Sequence, residues 1–165
     1  MTQFKIFLYA FGPAVGVFLI YIILLPLYTP KRFVTAKDTP KKQSEALHAL
    51  MNWSKWIISI ETGLVSIIIA ILKNEFSYSP LFLYAALISF VLSIILATAL
   101  IGTVPGALEA VPIFDESISQ DRKRASIYMH KFLGIVPIWW LAGMEHTYFI
   151  VGIILGSIGM LSGFP

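Results

Sequence analysis

The sequence predicts an all-α, polytopic integral membrane protein with four transmembrane helices and with interfacial amphipathic helices in its cytoplasmic loops. Three observations lead to this fold class. Of the 165 residues, 58% are hydrophobic and only 13% are charged, about half the charged share of a soluble domain. Four long apolar stretches carry almost no charge, and the basic residues gather between them. A water-soluble fold of this size could not cover that much apolar surface, so lipid is the expected solvent.

Each apolar stretch is long enough to cross a bilayer, which takes about 20 residues. The first span, about 6–28, has no charged residue, and its length exceeds the apolar core of about 7 to 15 residues in a cleavable signal peptide. The second and third spans, about 53–72 and 81–101, are joined by so short a segment that they form an antiparallel hairpin. The fourth span is expected at about 139–161, with residues 132–137 at the interface.

The distribution of Lys and Arg predicts the orientation of this single transmembrane domain, which covers 1–165. Of the 12 basic residues, all but Lys5 and Lys73 belong to the loops 29–52 and 102–138 or to a residue just beyond them. Positive residues are retained on the cytoplasmic side, so both loops are expected there and both termini away from the cytoplasm, in the cell (inner) membrane. Four tryptophans are expected to anchor the cytoplasmic interface: Trp53, Trp56, Trp139 and Trp140.

The cytoplasmic loops contain helical patterns. In the first loop, Ser44 is predicted to begin a helix that continues through Leu47, Leu50 and Met51 into the second span. In the third loop, an apolar face is expected from Ile118, Ala125, Met129 and Phe132. Such helices lie on the bilayer surface or pack as linkers on their own protein, and the sequence leaves both alternatives open. The candidates for membrane-surface or partner binding are Arg122, Lys123, Arg124, Lys41 and Lys42.

Glu61 and Glu145 are the only acidic residues within the spans and the first functional candidates. Burying a charge there costs about 2.5 to 3.5 kcal/mol, so such a group faces a partner, a cavity or a pathway. Each follows a tryptophan by five residues, which places both about 7 to 8 Å deeper on parallel helices. If they face each other, a shared or mobile proton is expected. His146, the third pathway candidate, points about 100° away from Glu145.

Each carboxyl group also has an alternative explanation that involves no proton or ion pathway. Glu61 could be a neutral acid that hydrogen-bonds to Ser or Thr on a neighbouring helix and fixes the packing. Glu145 could extend to the cytoplasmic interface if the fourth span begins late. The repeated Trp-to-Glu spacing is compatible with an old duplication of a helical hairpin, and chance also explains it.

Small residues at intervals of four predict close helix packing. The third span carries Ala85, Ser89, Ser93 and Ala97, and the second carries Thr62, Ser66 and Ala70. Glycine pairs follow the same spacing at Gly12 and Gly16, Gly152 and Gly156, and Gly159 and Gly163. This spacing does not distinguish packing within one chain from packing between copies.

The sequence predicts no enzyme, no metal and no cofactor. It has no cysteine, which excludes thiol nucleophiles and thiolate metal sites, and it shows no phosphate-binding loop and no nucleophile paired with a base. His48 and His130, both near the cytoplasmic boundary, could supply a bis-histidine haem or a metal site, but their spacing is not distinctive. The basic residues lie between spans, so no nucleic acid partner is expected.

Two functional hypotheses follow. The first is a non-catalytic multi-pass subunit that packs in a homo-oligomer or a larger membrane complex, with the lipid bilayer, other membrane subunits or copies of itself as partners. The alternative is an oligomeric proton- or ion-conducting channel with Glu61 and Glu145 in its pathway. A membrane enzyme ranks third, because no catalytic arrangement is visible.

Overall fold

The computed structural model describes residues 3–24, 40–73, 80–110, 131–133 and 136–162, which form four helices and one short β-hairpin. The helices are α1 (Gln3–Leu24), α2 (Pro40–Lys73), α3 (Pro80–Ala110) and α4 (Ile138–Leu161). Strand β1 (Lys131–Phe132) pairs antiparallel with β2 (Val136–Pro137). Apart from this hairpin the described chain is helical, which confirms the predicted all-helical class.

Three helical segments are long and apolar enough to cross a membrane: Ser44–Lys73, Pro80–Glu109 and Ile138–Leu161. At 1.5 Å per residue, the shortest of them extends over about 36 Å, more than the hydrocarbon thickness of about 30 Å. The first helix has a shorter apolar stretch, Leu8–Ile23. The chain is therefore compatible with membrane insertion through three helices, and a fourth crossing by α1 remains a prediction.

Helix α2 joins the predicted amphipathic segment and the second span into one helix of 34 residues. It begins at Pro40, where a missing backbone N–H costs nothing because the first turn has no acceptor for it. Leu47 is fully buried in the main apolar cluster, with Leu50 and Met51 packed at its edge. The amphipathic segment thus packs its apolar face on its own protein.

Helix α3 continues nine residues beyond the predicted end of the third span. This extension contains Gly102 and Pro105, although glycine and proline disfavour helix interiors. Val104 and Ala107 are nevertheless fully buried in the same apolar cluster as Ile138 of α4. The apolar contacts of this extra segment offset the local cost, so tertiary packing decides where the helix ends.

The hairpin corrects one part of the sequence prediction. Phe132 was expected on the apolar face of a loop helix, but it lies in β1 opposite Val136. Leu133 follows with a φ of 52°, a left-handed conformation that fits a turn and interrupts a helix. Val136 precedes a proline, which also disfavours the helical conformation. The rest of that predicted helix, including Ser117, Arg122, Lys123, Arg124 and His130, lies outside the described residues.

Helix α3 lies at the centre of the bundle and contacts the other three helices, most extensively α4. Three pairs of neighbouring residues show that α3 and α4 run antiparallel: Leu83 with Gly159, Ala86 with Gly156, and Phe90 with Gly152.

Two hydrogen bonds attach α1 to α4. Tyr21 Oη and Thr147 Oγ1 are 2.7 Å apart, and Tyr148 Oη donates to the Ala14 carbonyl at 2.9 Å. The bundle therefore combines small-residue packing between α3 and α4 with polar links to α1.

The surface of the bundle is more apolar than that of a soluble domain. Large apolar side chains are exposed on all four helices, and six polar or charged residues of the described segments are buried among apolar ones. Water would penalise such a surface, and hydrocarbon accepts it. The buried polar residues are Ser54, Glu61, Ser89, Ser93, Thr103 and Glu145.

Candidate functional site

The two candidate carboxyl groups, Glu61 and Glu145, are both in the interior. Glu61 extends from α2 and Glu145 from α4, each has no exposed surface, and Ser93 of α3 lies next to both. Glu145 contacts Ser54, which lies about 10 Å before Glu61 along α2, so the equal depth suggested by the repeated Trp-to-Glu spacing stays a prediction. We refer to Glu61 and Glu145 together as the carboxyl pair.

Glu145 is held by two helices. The Ser54 hydroxyl of α2 donates a hydrogen bond to Glu145 Oε2 at 3.1 Å, and the Ser93 hydroxyl of α3 donates to the Glu145 backbone carbonyl at 2.9 Å. The other carboxyl oxygen, Oε1, has no hydrogen-bond partner among the described residues. Glu145 is thus fixed in position and only half satisfied.

Glu61 is less well satisfied than Glu145. Neither of its carboxyl oxygens has a hydrogen-bond partner within the described part of the chain. The Ser93 hydroxyl lies beside it, but the hydrogen of that hydroxyl goes to the Glu145 carbonyl. Leaving a buried polar group without a partner costs about 1 to 3 kcal/mol. Within the described residues, Glu61 therefore lacks the full set of partners that a buried carboxyl group usually has.

His146 connects the carboxyl pair to the surface. Its Nδ1 lies 3.7 Å from Glu145 Oε2, and its side chain is 39% exposed. The same Nδ1 is 2.6 Å from the Ala142 carbonyl oxygen. A carbonyl can only accept, so Nδ1 carries the hydrogen and Nε2 is the nitrogen that takes up a further proton. The sequence left the contact with Glu145 open, and the structure brings the two side chains together.

Trp53 covers the imidazole from α2. The two rings are nearly parallel, at 14°, with centroids 5.9 Å apart. Trp53 itself is 52% exposed, so the stacked pair lies at the edge of the bundle. Ser54, the next residue, reaches inward to Glu145. Adjacent positions of α2 thus contribute one group to the surface and one to the interior.

Together these groups form a series that leads inward. Ser54 and Glu61 are seven residues apart on α2, so they share a face and differ in level by about 10 Å. His146 is at the surface, Glu145 is beside Ser54, and Glu61 lies deeper. Beyond Glu61 the buried residue of α2 is Ile68, which belongs to an apolar cluster with Leu83, Ala86 and Phe90. In the described residues, the polar series ends at this cluster.

The predicted interface tryptophans occupy different environments. Trp53 and Trp56 are exposed, at 52% and 70%, whereas Trp140 is only 9% exposed. Trp140 packs edge-on against Tyr21 of α1, with ring centroids 6.1 Å apart. Trp139 is half-buried. Trp140 thus contributes to packing within the bundle, which its position next to Trp139 could not reveal.

The remaining candidates are more dispersed. Lys41 and Lys42 lie in the first turn of α2, and His48 is exposed on the same helix. Within the described ranges, no group of three His, Cys, Asp or Glu residues is arranged to hold a metal ion.

The small-residue rows divide into two kinds. Ser89 and Ser93 are buried with Ala85 and Ala97, and Gly152 and Gly156 pack directly on α3. These rows therefore serve contacts within one chain. On α2, the side chains of Thr62, Ser66 and Ala70 point outward. On α1, a Cβ added at Gly12 or Gly16 would meet no described atom within 4 Å.

Sequence reasoning missed Ser54 and the contact of Trp53 with His146. The spacing of seven residues between Ser54 and Glu61 was visible in the sequence and places both on one face of a helix. The stacking of Trp53 on His146 joins two helices that are distant in sequence, and no local pattern signals it.

Comparison with known proteins adds no assignment. No protein-family model, curated protein or solved structure matches the chain.

Proposed function

We propose that this chain is a non-catalytic, four-span membrane protein that binds an exchangeable proton on the carboxyl pair inside its own helix bundle. The observation that carries the proposal is Glu61, which is fully buried and has no hydrogen-bond partner for either oxygen in the described chain. An ionisable group kept in a membrane interior at such a cost is a functional candidate by default.

The chemistry of the pair supports this role. Two carboxyl groups in a low-dielectric interior share one proton more readily than they ionise together, and they then titrate as a unit. Ser54 orients Glu145, and Ser93 fixes the backbone from which Glu145 extends. This arrangement can hold one proton and release it when the surroundings change.

Uptake from one side is supported by the asymmetry of the site. A series of polar groups leads from His146 to Glu61, and the apolar cluster around Ile68 and Phe90 lies beyond it. Such a barrier favours a closed, coupled site over an open pore. Because both carboxyl groups point into the bundle of one chain, the proposed path lies within a single copy rather than in a ring formed by several copies.

Carbodiimide labelling tests the proposal. A lipid-soluble carbodiimide adds to a protonated carboxyl group, and mass spectrometry locates the adduct. We expect adducts at Glu61 or Glu145 that decrease as the pH rises. Glu61→Gln removes one of the two targets. The exposed Glu109 of α3 is the internal control. Absence of adducts at both buried residues over the whole pH range contradicts the proposal.

The proposed topology has four spans, with the loops 29–52 and 102–138 in the cytoplasm and both termini on the opposite side. Since the chain has no cysteine, single cysteines report exposure without background. In intact cells a membrane-impermeant maleimide is expected to label Lys5→Cys and Lys73→Cys and to spare Lys41→Cys and Arg122→Cys. Equal labelling of positions 5 and 41 shows that α1 does not cross.

A second candidate function, a structural subunit of a homo-oligomer or larger complex, is favoured by the outward rows on α2 and α1. Small residues that face outward allow a second helix to approach closely. Ser66→Cys is then expected to form a disulfide-linked dimer or a cross-link to another protein in native membranes. The buried Ser89→Cys is the matched control. Monomeric Ser66→Cys under oxidising conditions removes the support for this candidate.

A further inference from the structure

We propose that His146 is the group that transfers protons between water and the carboxyl pair, and that Trp53 covers this transfer site. The inference rests on the proposed function and assigns its route. Its geometric basis is the position of the His146 imidazole, which contacts Glu145 and also has exposed surface.

The imidazole lies near the aqueous boundary of the bundle. It stacks on Trp53, and Lys55, two residues further along α2, is exposed. A lysine ammonium is expelled from hydrocarbon, and tryptophans collect at the membrane interface. This level of α2 is therefore at or close to water. Glu61 is further from water, because it lies eight residues beyond Trp53, about two turns or 12 Å further along the helix.

The ring is oriented for a directional transfer. Its Nδ1–H donates to the Ala142 carbonyl, so the free electron pair is on Nε2. A proton from water adds to Nε2 and forms the imidazolium. The Nδ1 proton then moves to Glu145 Oε2, which leaves a neutral acid and an imidazole with its hydrogen on Nε2. Exchange with water returns the imidazole to its starting tautomer, so one proton has passed from water to the carboxyl pair.

Trp53 controls the movement that this transfer needs. Nδ1 and Glu145 Oε2 are 3.7 Å apart, so the ring must move by less than about 1 Å to reach hydrogen-bond distance. The nearly parallel indole, with its ring centroid 5.9 Å from that of the imidazole, is positioned to restrain that movement. Of the titratable groups in the described chain, Glu145 on the same helix is the one that contacts the imidazole. Glu61 of α2 lies further inside the bundle, beyond Glu145. The residue of α2 that stacks on the ring is the uncharged Trp53.

A pH-jump experiment on the full chain in liposomes tests this assignment. Time-resolved infrared spectroscopy follows the C=O stretch of protonated carboxyl groups, and Glu61→Gln and Glu145→Gln assign the bands. In His146→Asn the band amplitude is expected to persist while its rate of change falls about tenfold or more. The asparagine side chain keeps an N–H donor for the Ala142 carbonyl, but it cannot take up and release a proton as imidazole does. The exposed His48→Asn is the matched control, with an unchanged rate.

Two further variants distinguish transfer from a merely structural role. Trp53→Ala is expected to raise the rate, because it uncovers the ring, and free imidazole in the buffer is expected to restore the rate of His146→Ala. An unchanged rate in His146→Asn, or the absence of rescue by imidazole, overturns the assignment of His146 and leaves the proton site itself intact. If no carboxyl band responds to pH in the parent protein, the proposed function fails first.

Discussion

The contact between Gly152 and Phe90 is the tightest point of the packing between α3 and α4, and replacing Gly152 by alanine tests it. A Cβ at this position would lie 2.6 Å from Phe90 Cε1 and 2.8 Å from Cδ1. Carbon atoms in good contact are about 3.5 to 4.0 Å apart, so the ring would have to move by about 1 Å. Phe90 is 1% exposed and has little room to do so.

We expect Gly152→Ala to destabilise the bundle by about 1 to 3 kcal/mol, the usual cost of overpacking a well-packed core. Two other glycines are matched controls. An added Cβ at Gly156 would meet Ala86 Cβ at 3.6 Å, and one at Gly63 would meet no described atom within 4 Å. Both alanine variants are expected to be neutral or to stabilise by up to about 1 kcal/mol, because alanine is the better helix former.

Reversible unfolding in mixed micelles, with increasing denaturing detergent, gives the free energy of unfolding for each variant. The order expected from the structure is Gly152→Ala clearly below the parent, and Gly156→Ala and Gly63→Ala at or above it. If Gly152→Ala is as stable as Gly156→Ala, Phe90 does not lie on Gly152 and the register of α3 against α4 is wrong.

Three further predictions concern the buried polar groups. Glu61→Met is expected to stabilise the protein by about 1 to 3 kcal/mol, because it removes a buried group without hydrogen-bond partners; a loss of stability would mean that Glu61 has a structural partner. Ser54→Ala is expected to cost about 1 to 3 kcal/mol, because Glu145 loses a hydrogen bond, whereas the exposed Ser59→Ala changes stability by less than about 0.5 kcal/mol. Tyr148→Phe is expected to cost about 0.5 to 1.5 kcal/mol, since it removes a hydrogen bond to α1. All three are measured by the same unfolding assay.

The helical class was predictable because it depends on local patterns. Runs of apolar residues longer than a bilayer crossing indicate helices, and equal spacing from Trp56 and Trp140 placed Glu61 and Glu145 at one level. The common level stays a prediction, whereas the structure shows that both side chains point into one bundle.

What the sequence did not reveal depends on contacts between distant segments. The end of α3 follows from the burial of Val104 and Ala107, which overrides the local preference of Gly102 and Pro105. The stacking of Trp53 on His146 likewise joins two helices, and nothing in either segment signals the other. Local sequence patterns thus predict which segments are helical, whereas packing between distant segments determines where a helix ends and which side chains meet in the site.

An infrared titration of the reconstituted protein tests the central claim, that the carboxyl pair holds one exchangeable proton within the bundle, most directly. We predict a C=O band from a protonated carboxyl group that disappears reversibly as the pH rises and that is lost or shifted in both Glu61→Gln and Glu145→Gln. A spectrum in which no such band changes with pH, or in which the band survives both substitutions unaltered, contradicts the account.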